Sequence, residues 1–232
     1  MDRPTIAPRV WQPSRPAKPA IEVRPINKLT LLPVAGHGPE DVLVGSDGRI
    51  FTGLDDGRII ALTPDGRQID VVGDTGGRPL GLEWHPEGWI VVCDAQRGLL
   101  RLDVHDGRVD EFVTEFDGMP IRFCNNAAVA DNVSMGSDGL IWVALASMRN
   151  ALLDRMLPLP GILRKAAWRL PEAVQPKEAR EFEVHAYDDT GRLTYAFRGT
   201  HPDFHFATGV REHKGTVWLG SLEDASVAAF VP

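Results

Sequence analysis

Apolar residues in this chain fall in short runs separated by turns that end in glycine. The first set is Val42-Leu-Val44, Ser46-Asp-Gly48, Ile50-Phe-Thr52, Asp55-Asp-Gly57, Ile59-Ile-Ala-Leu62 and Pro64-Asp-Gly66. A second runs Leu80-Gly-Leu82, Pro86-Glu-Gly88, Trp89-Ile-Val-Val92, Gln96-Arg-Gly98, Leu99-Leu-Arg-Leu102 and His105-Asp-Gly107. A third begins Val133-Ser-Met135, Ser137-Asp-Gly139, Leu140-Ile-Trp-Val-Ala144. A fourth begins Thr208-Gly-Val210, His213-Lys-Gly215, Val217-Trp-Leu219 and ends Val227-Ala-Ala-Phe-Val231. Asp-Gly between strand-like runs predicts hairpins, because a primed turn needs the positive φ that glycine adopts without strain. The first-turn glycines Gly48, Gly88, Gly139 and Gly215 are spaced by 40, 51 and 76 residues. A repeat of about 40 residues with several strands in each predicts an all-β chain built as a β-propeller. A β-sandwich also has many short strands, but the similarity between copies argues against it.

Two stretches break the pattern. Residues 1–20 are Pro-rich and interleaved with Arg, Lys and Ser, which predicts a tail or a strap along one domain spanning 21–232. Order should begin near Ile21 or Leu29, where Leu29-Thr-Leu-Leu32 reads as a strand. The segment 150–176 has helix formers at helical spacing, with Pro160 placed to start a helix and Pro171 to stop it. Its apolar set (Ile162, Leu163, Ala166, Ala167, Leu170) predicts a helical lid packed on the propeller. The competing reading is a basic amphipathic contact with a membrane surface through 160–170.

Composition narrows the classes. At 232 residues with 43% apolar content, the chain has ample material for a core. Its 23 Gly and 18 Pro are scattered among the apolar runs, as many tight turns require. A net charge of -7 and the lack of a basic stripe argue against nucleic acid. Cys93 lies inside an apolar run and reads as a buried thiol rather than as half of a disulfide with Cys124. With no apolar leader or membrane-length run, the expected location is cytoplasmic.

The motifs also carry a resemblance. Gly38-Pro-Glu-Asp41, Asp47-Gly-Arg-Ile-Phe-Thr-Gly53 and Asp56-Gly-Arg-Ile-Ile60 resemble the first blade of strictosidine synthase-like proteins, relatives of the SMP-30/gluconolactonase and paraoxonase propellers. Gly77-Arg-Pro-Leu-Gly-Leu82, Val92-Cys-Asp-Ala95, Phe123-Cys-Asn-Asn126 and Thr208-Gly-Val-Arg-Glu-His213 match the same family. The resemblance implies a six-bladed propeller with calcium at the top of its central channel. The repeats here supply only about four blades' worth of chain. The family places the motifs matched by Asn125 and by Asp131 in different blades; here they are six residues apart. The chain thus resembles a member lacking about two blades between Ala130 and Asp131. Such a loss would shrink the ring or leave open blade edges, which invite a homo-oligomer.

The resemblance also implies chemistry. Glu40 matches the first-blade glutamate, Asn125 the asparagine that follows the aromatic (Asn126 in the neighbouring register), and Asp131 the later aspartate. The family's remaining asparagine has no counterpart. Calcium, or another divalent cation, takes several oxygen ligands of this kind. It would act as a Lewis acid on the carbonyl of a lactone or ester and stabilise the oxyanion that forms. A base is then needed, and His205 and His37 are the candidates by type. His205 stands where strictosidine synthase has its catalytic glutamate, so alkaloid-forming condensation is not expected. Plainer roles compete: a turn or strand cap for Asn125 and Asn126, a loop for Asp131, and structural or exposed histidines. His85, His105 and His213 read as solvated turn residues. The implied function is a metal-dependent lactonase or esterase; the alternative is a non-catalytic propeller that binds a small ligand or a partner. No GxSxG motif and no phosphate-cradling glycine loop occur.

Overall fold

The computed structural model describes residues 21–116, 119–121, 133–145, 155, 159–160, 163 and 180–232. The first full sheet contains β3 (Leu43–Val44), β4 (Ile50–Gly53), β5 (Arg58–Leu62) and β6 (Ile69–Asp74), in that order. The second contains β7 (Pro79–Trp84), β8 (Ile90–Asp94), β9 (Gly98–Leu102) and β10 (Val109–Val113). A two-stranded hairpin, β11 (Glu115–Phe116) and β12 (Met119–Pro120), follows it. The third runs through β13 (Val133–Met135), β14 (Ile141–Leu145), β15 (Glu181–Tyr187) and β16 (Leu193–Thr200), with β1 (Arg24–Pro25) added in parallel to β16. The fourth contains β17 (Ala207–His213), β18 (Thr216–Ser221) and β19 (Ser226–Phe230), and is completed by β2 (Thr30–Pro33). In that last pairing Ala228 stands opposite Leu31 and Val227 opposite Leu32, so segments from opposite ends of the chain form one blade.

These sheets are propeller blades, packed face to face in the order third, fourth, first, second. Trp142, Phe182 and Val184 of the third meet Val210, Val217 and Leu219 of the fourth. Leu32, Trp218 and Val227 of the fourth meet Val42, Ile50 and Ile60 of the first. Phe51, Ile59 and Ala61 of the first meet Leu82, Ile90 and Val92 of the second. A blade buried on both faces must be apolar on both, which is why β5 reads Ile-Ile-Ala-Leu without alternation. The outermost strands β6 and β10 are half exposed and mix apolar with acidic residues. The passage from second to third blade runs through 122–132, outside the described residues.

The four blades among the described residues match the four repeats. The hairpin turns differ from expectation in one respect. At 45–49, 85–89 and 136–140 only the glycine has positive φ, while the preceding Asp or Glu stays at negative φ. The backbone therefore makes a type I turn closed by glycine, not a primed turn. The aspartate favours this form: Asp47 Oδ1 accepts from Arg49 N at 3.1 Å and Asp138 Oδ1 from Leu140 N at 3.0 Å. A true type I′ turn occurs only once among these, at Lys214 (φ 49°) and Gly215 (φ 81°), between paired His213 and Thr216.

The expected helical lid is not supported. All the named elements are strands, and 150–176 lies outside the described residues except for Arg155, Leu159, Pro160 and Leu163. No helix among the described residues is long and apolar enough to cross a membrane. Cys93 is fully buried, as its apolar run predicts.

Candidate active site

Pro39 to Asp41 form the hub of the site. This segment enters so close to the fourth blade that only glycine fits opposite it. A Cβ on Gly209 would stand 2.6 Å from the Glu40 carbonyl oxygen, and one on Gly220 would stand 2.5 Å from that of Pro39. The hub is then pinned by hydrogen bonds from two blades. Ser221 N donates to Pro39 O at 2.7 Å, Thr208 Oγ1 to Glu40 O at 3.0 Å, and Thr52 Oγ1 to Asp41 O at 2.6 Å. Glu40, the expected metal ligand, is held there with 8% exposure.

Asp41, the next residue, ties in the second blade. Its Oδ1 accepts from Val42 N at 2.8 Å and its Oδ2 from Leu82 N at 3.0 Å. Burial pushes its pKa up to about 6, against the lowering effect of Arg211 and the two backbone donors. Arg211 of the fourth blade in turn reaches Glu83 of the second, 3.1 Å away. Charged groups from three blades therefore meet at the inner strands.

His205 lies just before β17 and sits beside this hub. Its neighbour Phe206 has φ of 50°, a backbone region that a bulky side chain rarely adopts. The strain is held by a set of contacts around Asp224. Asp224 Oδ2 accepts from His205 N at 2.6 Å and from Ser221 Oγ at 2.9 Å. Ser221 Oγ is also 2.9 Å from His205 O and accepts from Asp224 N at 3.1 Å. Asp224 O accepts from Gly38 N at 3.1 Å, which links the His205 loop to the Glu40 segment. The imidazole Nδ1 is 2.9 Å from Asp224 Oδ1, close but without hydrogen-bond alignment. Such pairs in unliganded sites commonly tighten when substrate binds. Nε2 lies 3.5 Å from the exposed carboxylate of Glu223, longer than a hydrogen bond, so it is available to a third group.

The structure therefore ties the His205 loop to the segment that carries Glu40, through Asp224 to Gly38 and through Ser221 to Pro39. His37 is exposed and adjoins Gly38, and its carbonyl accepts from Asp55 N at 2.9 Å. Asn125 and Asp131 lie outside the described residues. Among the described residues no three His, Cys, Asp or Glu side chains converge as metal ligands. Two other histidines depart from the solvated reading: His85 stacks on Trp89 with centroids 4.0 Å apart, and Nε2 of His213 is buried. Sequence reasoning missed Asp224, Ser221 and Asp41. Asp41 stands within the matched Gly38-Pro-Glu-Asp41 motif, whereas Ser221-Leu-Glu-Asp224 reads as an ordinary turn.

Comparison with known proteins agrees with the fold and the sequence motifs. Residues 26–62 match the family model described as strictosidine synthase-like, N-terminal. Among curated proteins, the chain is 35% identical over 102 residues to Protein STRICTOSIDINE SYNTHASE-LIKE 6 of Arabidopsis thaliana, covering 41% of this chain and 27% of that protein. It is 36% identical over 100 residues to Protein STRICTOSIDINE SYNTHASE-LIKE 7 of the same plant, with 40% and 27% covered. The matched part thus spans about a quarter of each relative. Among solved structures, the gluconolactonase XC5397 of Xanthomonas campestris aligns with a TM-score of 0.54 at 13% identity, over 88% of this chain and 89% of that one. At that identity the likeness is one of fold.

Proposed function

From a chain that is strictosidine synthase-like in sequence and a β-propeller in fold, we propose a hydrolase of small lactones or esters, with His205 as general base. The observation that supports it is the His205–Asp224 pair, set on strained backbone next to the Glu40 hub. A carboxylate facing Nδ1 favours the tautomer with its proton there, which leaves the Nε2 lone pair facing outward. Nε2 would take a proton from a water as that water's oxygen bonds to the carbonyl carbon. The tetrahedral intermediate then collapses, the carbonyl carbon–oxygen bond to the alkoxy group breaks, and Nε2 returns the proton to the departing oxygen. A positioned base of this type contributes about 10²–10⁴ in rate.

The family resemblance adds a divalent cation, calcium first. It would rely on Glu40 together with Asn125 and Asp131, and it would supply Lewis-acid stabilisation of the oxyanion. The gluconolactonase neighbour makes sugar lactones the first substrates to try. The test is hydrolysis of a panel of lactones and aryl esters, with and without chelator, by the full chain and by Glu40→Ala. The proposal expects turnover of at least one lactone or ester, and chelator and Glu40→Ala each reducing it. A panel with no turnover contradicts the hydrolase reading; turnover indifferent to both treatments removes the cation and keeps the base.

A further inference from the structure

We propose a second binding site, under the chain segment that crosses from the third blade to the fourth, for a medium-chain carboxylate. It stands on features that the reaction above does not use. The chain leaves β1 on the edge of the third blade, crosses at Ile26–Leu29, and enters β2 on the edge of the fourth. The crossing is anchored at its start, where Ile26 N donates to Arg198 O at 2.7 Å. Beneath it lies a cleft of about 670 Å³. That volume falls inside the range of roughly 300–1,000 Å³ typical of small-molecule sites.

The cleft has an apolar floor and a cationic rim. Leu32, Phe197, Trp218 and Phe230 line the floor. Arg24 and Lys28 line the rim, and both are exposed. Neither forms an ion pair among the described residues; Arg24 is steered only by the Tyr195 ring, 5.5 Å from its guanidinium carbon. In a chain of net charge -7, most arginines among the described residues lie beside an acid, as Arg49 does with Asp47 and Arg58 with Asp56. Two cations with no ion pair among the described residues, beside apolar lining, fit a ligand with one anionic head and a hydrocarbon tail. An uncharged amphiphile leaves the cations unused, and a cationic one is repelled.

The test titrates decanoate into the full chain by calorimetry, with Trp218 among the fluorophores followed in parallel, and repeats it with decanol and with decyltrimethylammonium. Lys28→Glu and Arg24→Glu alter exposed side chains, and their melting temperatures report whether the fold is kept. The expected result is one decanoate per chain, with binding at least tenfold weaker for decanol, for the ammonium, and for each folded variant. Absence of saturable binding, equal binding of decanol, binding unchanged by both variants, or uptake only at micelle-forming concentrations would overturn the proposal.

Discussion

Asp224 grips His205 at two points, accepting from its backbone N at 2.6 Å through Oδ2 and facing its Nδ1 at 2.9 Å through Oδ1. The two contacts can be separated by mutation. In Asp224→Asn the side-chain oxygen still accepts from the His205 N–H, so the loop is kept. The amide then turns N–H groups toward Nδ1 and favours the wrong imidazole tautomer. The expected outcome is a fall in kcat of about 10²-fold or more with KM little changed, measured on whichever lactone or ester the panel yields. Loss of folding instead of kcat would assign Asp224 a structural role alone.

Asp41 predicts a pH dependence with a definite sign. Its folded pKa is raised from 3.8 to about 6, so the folded chain holds this proton more tightly than the unfolded one. The stability it contributes is present at low pH and is lost as pH rises from about 3.8 through about 6. The shift corresponds to at most about 3 kcal/mol. The amide introduced by Asp41→Asn cannot titrate and can accept from only one of Val42 N and Leu82 N. Urea denaturation of both proteins between pH 4 and pH 7 should show the margin of wild type over Asp41→Asn shrinking as pH rises. A margin that grows would refute the assignment.

Glu212 has the opposite sign. Burial alone would raise its pKa, but donors from Gly215 N, Asp138 N and Ser137 Oγ outweigh that and hold it below the usual 4.5. The Gly215 bond is 2.7 Å and the Asp138 bond 3.1 Å, and they tie the first turn of the third blade to the type I′ turn of the fourth. The stability it adds is complete above pH 4.5 and lost as pH falls through its depressed folded pKa. Glu212→Ala removes the shared acceptor of donors on exposed residues, which water can then satisfy, and should cost about 1.5 kcal/mol. That corresponds to roughly 3–6 °C in Tm for a domain of this size, read by scanning calorimetry. A change under about 2 °C would contradict it.

Gly220→Ala tests the close approach at the hub. The added methyl would stand 2.5 Å from Pro39 O, and backbone on both sides leaves little room to yield. Overpacking of this kind costs about 1–3 kcal/mol. It should also displace Glu40, so activity would fall more than stability explains. Gly48→Ala is the control for space, since nothing lies within 4 Å there; its φ of 83° makes it a strain-only change.

Local features of this fold were legible in the sequence, and long-range ones were not. The hairpins followed from Ser46-Asp-Gly48 and its repeats, because turn chemistry is decided within a few residues. The double-sided burial of β5 followed from its unbroken apolar run. Leu29–Leu32 read as a strand, but its partner β19 was hidden, since register between opposite ends of a chain leaves no mark in either segment. His205 and Glu40 could be chosen by residue type and motif. What joins them could not, because Ser221 and Asp224 act through a folded loop. The third blade shows the same limit: Glu183, His185 and Tyr187 alternate with core residues, and only the structure shows His185 between Glu183 Oε2 and the Tyr187 hydroxyl, 3.1 Å from each.

His205 is the proposed proton carrier in hydrolysis, and its imidazole can be removed without its backbone contact. His205→Gln removes the imidazole while its backbone N–H keeps its bond to Asp224. On a substrate that the wild type turns over, kcat should fall by about 10²–10⁴-fold, with the Tm and the substrate KM near those of wild type. A folded His205→Gln protein that turns over the same lactone or ester at the wild-type rate would rule out His205 as the base.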